Sequence, residues 1–147
     1  MKLLVTGGCG FIGTNFIRAH LAEYPEDTIV NLDALTYAGN PDNLRDLEGR
    51  PNYHFVHGDI ADVQLVDRLF AEHKFDVVIN FAAESHVDRS IENPQVFLRT
   101  NVLGTQALVD AARRYGVERY IQISTDEVYG SLGPEGAFKE TTPLAPR

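Results

Sequence analysis

Thr125, Asp126 and Glu127 stand side by side in STDEVYG, residues 124–130, where the apolar run Tyr120-Ile121-Gln122-Ile123 stops. If both acids share one water-poor pocket, repulsion and desolvation separate their pKa values, leaving a protonated acid beside an ionised base. That pair suits an elimination, in which the base removes a C–H proton and the acid protonates a departing hydroxyl. A polar loop capping the next turn would account for the same residues without chemistry.

A second constellation lies near the N-terminus. Gly7-Gly8-Cys9-Gly10-Phe11-Ile12-Gly13 separates a strand pattern ending at Thr6 from a helical pattern starting at Phe11. It fits both G-x-G-x-x-G, from Gly8, and G-x-x-G-x-x-G, from Gly7. Gly7 and Gly10 allow a tight turn and close approach of backbone amides to a pyrophosphate, and Gly13 lets helix and strand pack closely. Asp33 closes the second strand pattern twenty residues beyond Gly13. There a carboxylate accepts hydrogen bonds from an adenosine ribose and disfavours a 2′-phosphate, which selects NAD over NADP; an ordinary turn residue is the alternative.

Other positions carry two readings each. Asp59, in Gly58-Asp59-Ile60, either meets an adenine amino group or caps a helix. Ala82 and Ala83 either leave room for a ligand across the strand edge or pack tightly on the glycine turn. Ser85-His86-Val87-Asp88-Arg89-Ser90 suits a substrate or phosphate, or is a solvated loop. Thr100 reaches a cofactor or bonds its own helix. Gly104 lies in a helical pattern at a cost of roughly 1 kcal/mol against alanine, which points to close approach of another backbone.

The elements that must hold these residues alternate. Lys2 to Thr6, Thr28 to Leu32, Tyr53 to Val56, Asp76 to Phe81 and Arg119 to Ile123 read as strands covered on both faces. Phe11 to Glu23, Val63 to His73 and Pro94 to Tyr115 carry apolar residues at helical spacing, with Asn93-Pro94 as cap and first turn of the last and Gly116 as its stop. Residues 33–52 read as a loop with at most one helical turn around Asn43 to Leu47, and residues 130–147 as a further loop. The order predicts an α/β, Rossmann-like, doubly wound parallel sheet of about five strands with helices on both faces, forming one NAD-binding domain over residues 1–147.

Composition narrows the partners. The 147 residues hold 21 acidic and 13 basic side chains, a net charge of −8, which argues against a nucleic acid backbone or an anionic membrane as partner. Cys9 is the only cysteine, so no intrachain disulfide forms and a cytoplasmic setting is expected. The five histidines form no metal-ligand frame, and no metal is expected. No run is long enough for a signal peptide or a membrane span.

TGGCGFIG, LDALTYAGN, GDI, NFAAESHVDRS, NVLGT and STDEVYG, in this order, resemble the extended short-chain dehydrogenase/reductases and in particular the dTDP-glucose 4,6-dehydratases. AAESHVDRS and TDEVYG are the specific parts. The resemblance implies NAD as cofactor and a nucleotide-sugar substrate, oxidised at C4, dehydrated across C5 and C6, and reduced at C6 to the 4-keto-6-deoxy sugar. It implies that Thr125 bonds the C4 oxygen, Asp126 is the acid for the C6 hydroxyl and Glu127 the base at C5. Phe11, Ile12, Asp33, Thr36, Asp59, Ile60, Ala82, Ala83 and Thr100 would line the cofactor, and Ser85 and Thr125 would meet substrate. The family's Tyr-x-x-x-Lys motif is absent from the 147 residues, so the chain is expected to be the cofactor-binding part of a longer, homodimeric enzyme and inactive alone. Another nucleotide-sugar dehydratase or epimerase, or a non-catalytic NAD-binding module, are the alternatives.

Overall fold

A computed structural model describes residues 1–146; Arg147, the last residue of the segment read as preceding the absent motif, and the side chain of Val87 lie outside the described residues. Five parallel strands, β1 (Lys2–Thr6), β2 (Thr28–Asp33), β3 (Tyr53–His57), β4 (Val77–Asn80) and β5 (Arg119–Gln122), form one sheet in the order β3-β2-β1-β4-β5. The helices are α1 (Phe11–Glu23), α2 (Val63–His73), α3 (Val87–Glu92), α4 (Pro94–Phe97) and α5 (Thr105–Arg114). After β3 the chain crosses back to lay β4 beside β1, so the strand order reverses between β1 and β4. Ligands of open α/β sheets bind at such a reversal, at the carboxyl ends of the strands.

Alternation along the strands divides the core. Leu4, Val30 and Val78 face α2 and α5, meeting Val66, Leu69, Phe70, Leu108 and Ala111. Leu3, Val5, Ile29 and Ile79 face the other way, onto Ile17 and Leu21 of α1 and onto Leu44 and Leu47 of a 3₁₀ segment at Pro41–Leu47. Each such buried side chain contributes about 1.5–3 kcal/mol relative to exposure.

Several expectations need correction. Coverage on both faces holds for β1, β2 and β4, whereas His54, Phe55 and His57 of β3 and most of β5 are exposed, because edge strands have neighbours on one side only. The connector is helical from Pro41, with Leu44 and Leu47 drawing it onto the sheet as 3₁₀ turns rather than one turn around Asn43. The helical pattern over residues 94–115 is not one α-helix: α4 runs into a π-helical stretch, Leu98–Gly104, before α5. Asn93 occupies the cap position without a side-chain bond, whereas Asp62 caps α2 on the amides of Gln64 and Leu65 at 3.1 and 3.0 Å. The loop after residue 130 folds back: the Ala145 amide donates to Val128 O at 2.9 Å and Phe138 stacks on Tyr129.

The start of β1 is tied down electrostatically. The Met1 ammonium donates to Asp27, which also meets His20 Nε2 at 2.9 Å. The hydrogen bond to Asp27 holds the amine above its ordinary 8.0, and the same bond holds Asp27 below its ordinary 3.8. A raised amine stabilises the fold below pH 8 and loses that contribution as pH climbs through the raised value; a lowered carboxyl contributes above pH 3.8 and loses it as pH falls through the lowered one. Melting temperatures of the unaltered chain and of Asp27→Asn are therefore expected to differ most between these limits and to converge as pH passes 8. A gap that stays constant to strongly alkaline pH would refute the pairing.

Candidate functional site

All strands are parallel, so the segments that follow them gather at one edge. The glycine turn is built by backbone contacts that only glycine permits. A Cβ on Gly13 would lie 2.4 Å from Gly7 O, and one on Gly7, at φ +68°, would lie 2.7 Å from Ala82 N. The Gly8 amide donates to Asn31 Oδ1 at 3.1 Å, and Asn31 Nδ2 donates onward to the Tyr53 hydroxyl at 2.9 Å. Burial pushes the Cys9 thiol up to about 11, with the Asp33 charge adding to it, and pushes the Tyr53 hydroxyl up to about 12. The thiol and the hydroxyl beneath the turn are thus neutral at physiological pH.

Asp33 is buried and uses both oxygens: Oδ2 accepts the Cys9 amide and Oδ1 the Leu35 amide, each at 2.8 Å. Two lone-pair sites remain for outside donors. Asp59 is not a helix cap, that role belonging to Asp62. Its Oδ1 accepts the Ala61 amide at 2.8 Å and its Oδ2 accepts Nε and Nη2 of Arg99, both at 3.1 Å.

These residues surround a cavity of about 340 Å³, lined by Gly7, Gly10, Asp33, Thr36, Gly39, Asp59, Ile60, Ala82, Ala83, Glu84, Arg99 and Thr100 among others. The Ala82 backbone presses on Gly7, and Ala82 and Ala83 line the cavity. Phe11 and Ile12 are 83% and 61% exposed and do not line it, because the first turn of α1 points them to solvent. Gly13 lies beneath the turn. Gly104 makes room chiefly for the Ile60 side chain, which a Cβ would meet at 2.6 Å, with the Ala61 backbone nitrogen at 3.4 Å behind it.

A second cavity of about 490 Å³ adjoins the first beyond β4 and β5. Ala82, Ala83, Glu84, Ser85, Asn101, Gln122, Thr125 and Glu127 are in its wall. Asp126 is not, and both acids are exposed on a 3₁₀ turn over residues 126–129, so the pair does not share a water-poor pocket in this chain. His86 is exposed and meets the edge of Tyr37, over whose ring the Arg89 guanidinium sits at 4.3 Å, joining the connector after β2 to α3.

Sequence reasoning missed four contributors. Arg99 comes to the cavity from the π-helical stretch, and π turns recur at functional sites. Asn101 holds the loop after β4 by a reciprocal pair, its Oδ1 accepting the Glu84 amide and its Nδ2 donating to Glu84 O, both at 2.8 Å. Asn31 was detectable as an amide interrupting Ile29-Val30-Leu32. Glu84 is buried, a carboxylate among alanines. Among the described residues no group of three or more His, Cys, Asp or Glu side chains could hold a metal, and no helix is long and apolar enough to cross a membrane.

The family model described as GDP-mannose 4,6 dehydratase matches residues 4–147. The low-salt glycan biosynthesis protein Agl12 of Haloferax volcanii is 56% identical over 147 residues, 100% of this chain and 46% of that protein. A dTDP-glucose 4,6-dehydratase of Xanthomonas campestris pv. campestris is 55% identical over 152 residues, 97% of this chain and 43% of that one. The solved structure of DesIV, a dTDP-glucose 4,6-dehydratase from Streptomyces venezuelae with NAD and TYD bound, superimposes with a TM-score of 0.90 at 51% identity, covering 99% of this chain and 46% of that one. The chain spans less than half the length of each of these relatives.

Proposed function

This chain belongs to the GDP-mannose 4,6 dehydratase family, and from that premise we propose that it is the NAD-binding domain of a nucleotide-sugar 4,6-dehydratase converting dTDP-glucose to dTDP-4-keto-6-deoxyglucose. The observation that carries the reading is the first cavity, which runs from Asp33 and Thr36 past Gly7 and Gly10 to Ala82, Ala83 and Thr100. That is the path of a dinucleotide across a strand-order reversal. The fit is supported by a turn packed against Ala82 and α1 too closely to admit a Cβ on Gly7 or Gly13, and by the spare acceptor sites of Asp33. Asp33 receives the adenosine ribose, the amides of Phe11 and Ile12 at the start of α1 meet the pyrophosphate, Asp59 and Ile60 flank the adenine, and Thr100 closes the cavity. Hydride acceptance and return is the chemistry that NAD supplies when bound.

The chain's own residues do the rest. Thr125 donates to the oxygen on C4 of the sugar, Glu127 removes the C5 proton, and Asp126 protonates the C6 hydroxyl as it leaves as water. Ser85 contacts the sugar. Ser85, Thr125 and Glu127 line the second cavity, which supports their roles, whereas Asp126 stands beside its wall in the sequence and its role rests on the family resemblance. The whole protein is read as a cytoplasmic homodimer, which the single cysteine and the exposed Leu98, Val102, Leu103 and Val109 favour. The family model's own description favours a second substrate, GDP-mannose. Turnover by a protein of the relatives' length carrying these residues, offered dTDP-glucose, GDP-mannose and UDP-glucose, tests the choice. Dehydration of dTDP-glucose is expected, and its absence beside turnover of another sugar would transfer the assignment.

A further inference from the structure

We infer that Tyr37 and Arg89 form a clasp that slows release of the dinucleotide by tying together two connectors that wall the first cavity. One wall comes from the connector after β2, through Thr36, Ala38 and Gly39, and another from the segment after β4, through Ala82 and Ala83. β2 and β4 each pair with β1 and not with each other, so no strand ladder joins these two segments. Side chains join them instead. The Arg89 guanidinium of α3 sits 4.3 Å from the centre of the Tyr37 ring, and the His86 ring meets the edge of Tyr37 at 6.4 Å. A cation over an aromatic face is attracted to it even at an exposed site. Neither Tyr37 nor Arg89 lines a cavity, so the pair acts on the walls and not on the ligand.

The connector is shaped to present the ring. The Gly39 amide donates to Thr36 O at 3.1 Å, closing a turn whose central residues are Tyr37 and Ala38. That turn is anchored on both sides, by the Leu35 amide on Asp33 Oδ1 at 2.8 Å and by the Asn40 amide on Cys9 O at 3.0 Å. Leu35 holds φ +51°, a left-handed backbone that persists in a non-glycine residue where its surroundings impose it. Tyr37 is nevertheless 51% exposed, and Arg89 is exposed too. The ring is therefore held by a surface contact rather than by the core, and that contact opens and re-forms without unfolding the sheet. A dinucleotide that accepts a hydride and returns it has to stay in place between the two events, and a clasp across its walls lengthens that stay. The inference rests on reading the first cavity as the dinucleotide site.

Stopped-flow displacement of fluorescent NADH by excess NAD tests it on the unaltered chain, Arg89→Met, Tyr37→Leu, the double variant and Tyr37→Phe. Arg89→Met and Tyr37→Leu are each expected to raise the off-rate by roughly fivefold, and the double variant to be no faster than either alone, because the two side chains act as one contact. Tyr37→Phe keeps the aromatic face and should stay within about twofold of the unaltered chain. Off-rates that are unchanged in both single variants, or that multiply in the double variant, overturn the clasp; a fall in ligand-free melting temperature with unchanged off-rates assigns the pair to the fold and overturns it as well. Equilibrium titration separates a failure of the site itself: if the unaltered chain takes up neither NADH nor NAD, the reading of the cavity fails, and the inference with it.

Discussion

Gly13→Ala is expected to destabilise the chain by about 3 kcal/mol or more and to abolish NAD binding. The added methyl would meet Gly7 O at 2.4 Å and Gly8 Cα at 2.7 Å, and both are backbone atoms of the turn itself. Side chains can shift to admit a methyl group, whereas this turn is fixed from both sides. The Gly7 amide donates to Leu32 O at 2.9 Å, the Gly8 amide is held by Asn31, and the Gly7 backbone rests against Ala82. Relief requires α1 to move off β1, which opens the core around Ile17 and Leu21. Overpacking in a well-packed core costs 1–3 kcal/mol where side chains can adjust and more where they cannot. Gly133→Ala is the control, since nothing lies within 4 Å of the position and its φ is not in the left-handed region; it should change stability by less than about 0.5 kcal/mol. Urea unfolding of the three proteins measures this. Equal midpoints for Gly13→Ala and Gly133→Ala would show that the turn is not packed as described.

Asp33→Ala should weaken NAD binding on the order of a hundredfold and cost about 3 kcal/mol of stability. Two losses combine. The first is internal: the Cys9 and Leu35 amides lose a charged acceptor at 2.8 Å each, and Leu35 sits at φ +51°, where a branched residue needs that bond to stay. The second is external, the acceptor for the ribose hydroxyls. Asp33→Asn separates them, because its carbonyl oxygen keeps one amide and its neutral amide removes the charge that opposes a 2′-phosphate. The asparagine variant should therefore lie between the two in stability and bring NADP affinity closer to that of NAD, by roughly tenfold, read in parallel titrations and melts. Retention of full NAD affinity in Asp33→Ala would remove the cavity from consideration as the cofactor site.

The two substitutions act through different links of the same construction. Gly13 sets how closely α1 approaches β1, and so where the turn amides lie. Asp33 then ties that turn to the connector after β2. The cavity exists because both conditions hold at once.

The local order of elements was legible in the amino-acid sequence, and for a physical reason. Lys2–Thr6, Phe11–Glu23 and Val63–His73 begin and end where their patterns predict, because a buried strand needs an apolar run and a helix on a sheet needs one apolar stripe. The glycine spacing and Asp33 carried the dinucleotide reading for the same kind of reason, since close backbone approach excludes a Cβ whatever surrounds it. Residues whose part depends on partners distant in the chain were not legible. Glu84 is a buried acid in a loop whose backbone is held by Asn101, seventeen residues on, and Arg99 reaches Asp59 from a π-helical stretch forty residues away. Phe11 and Ile12 belong to the motif by position yet face solvent, and Asp126 and Glu127 are adjacent yet only Glu127 lines the second cavity. Adjacency and spacing are properties of the chain and are decided by covalent geometry. Burial, orientation and pairing arise when separate segments meet, and only the tertiary structure decides them.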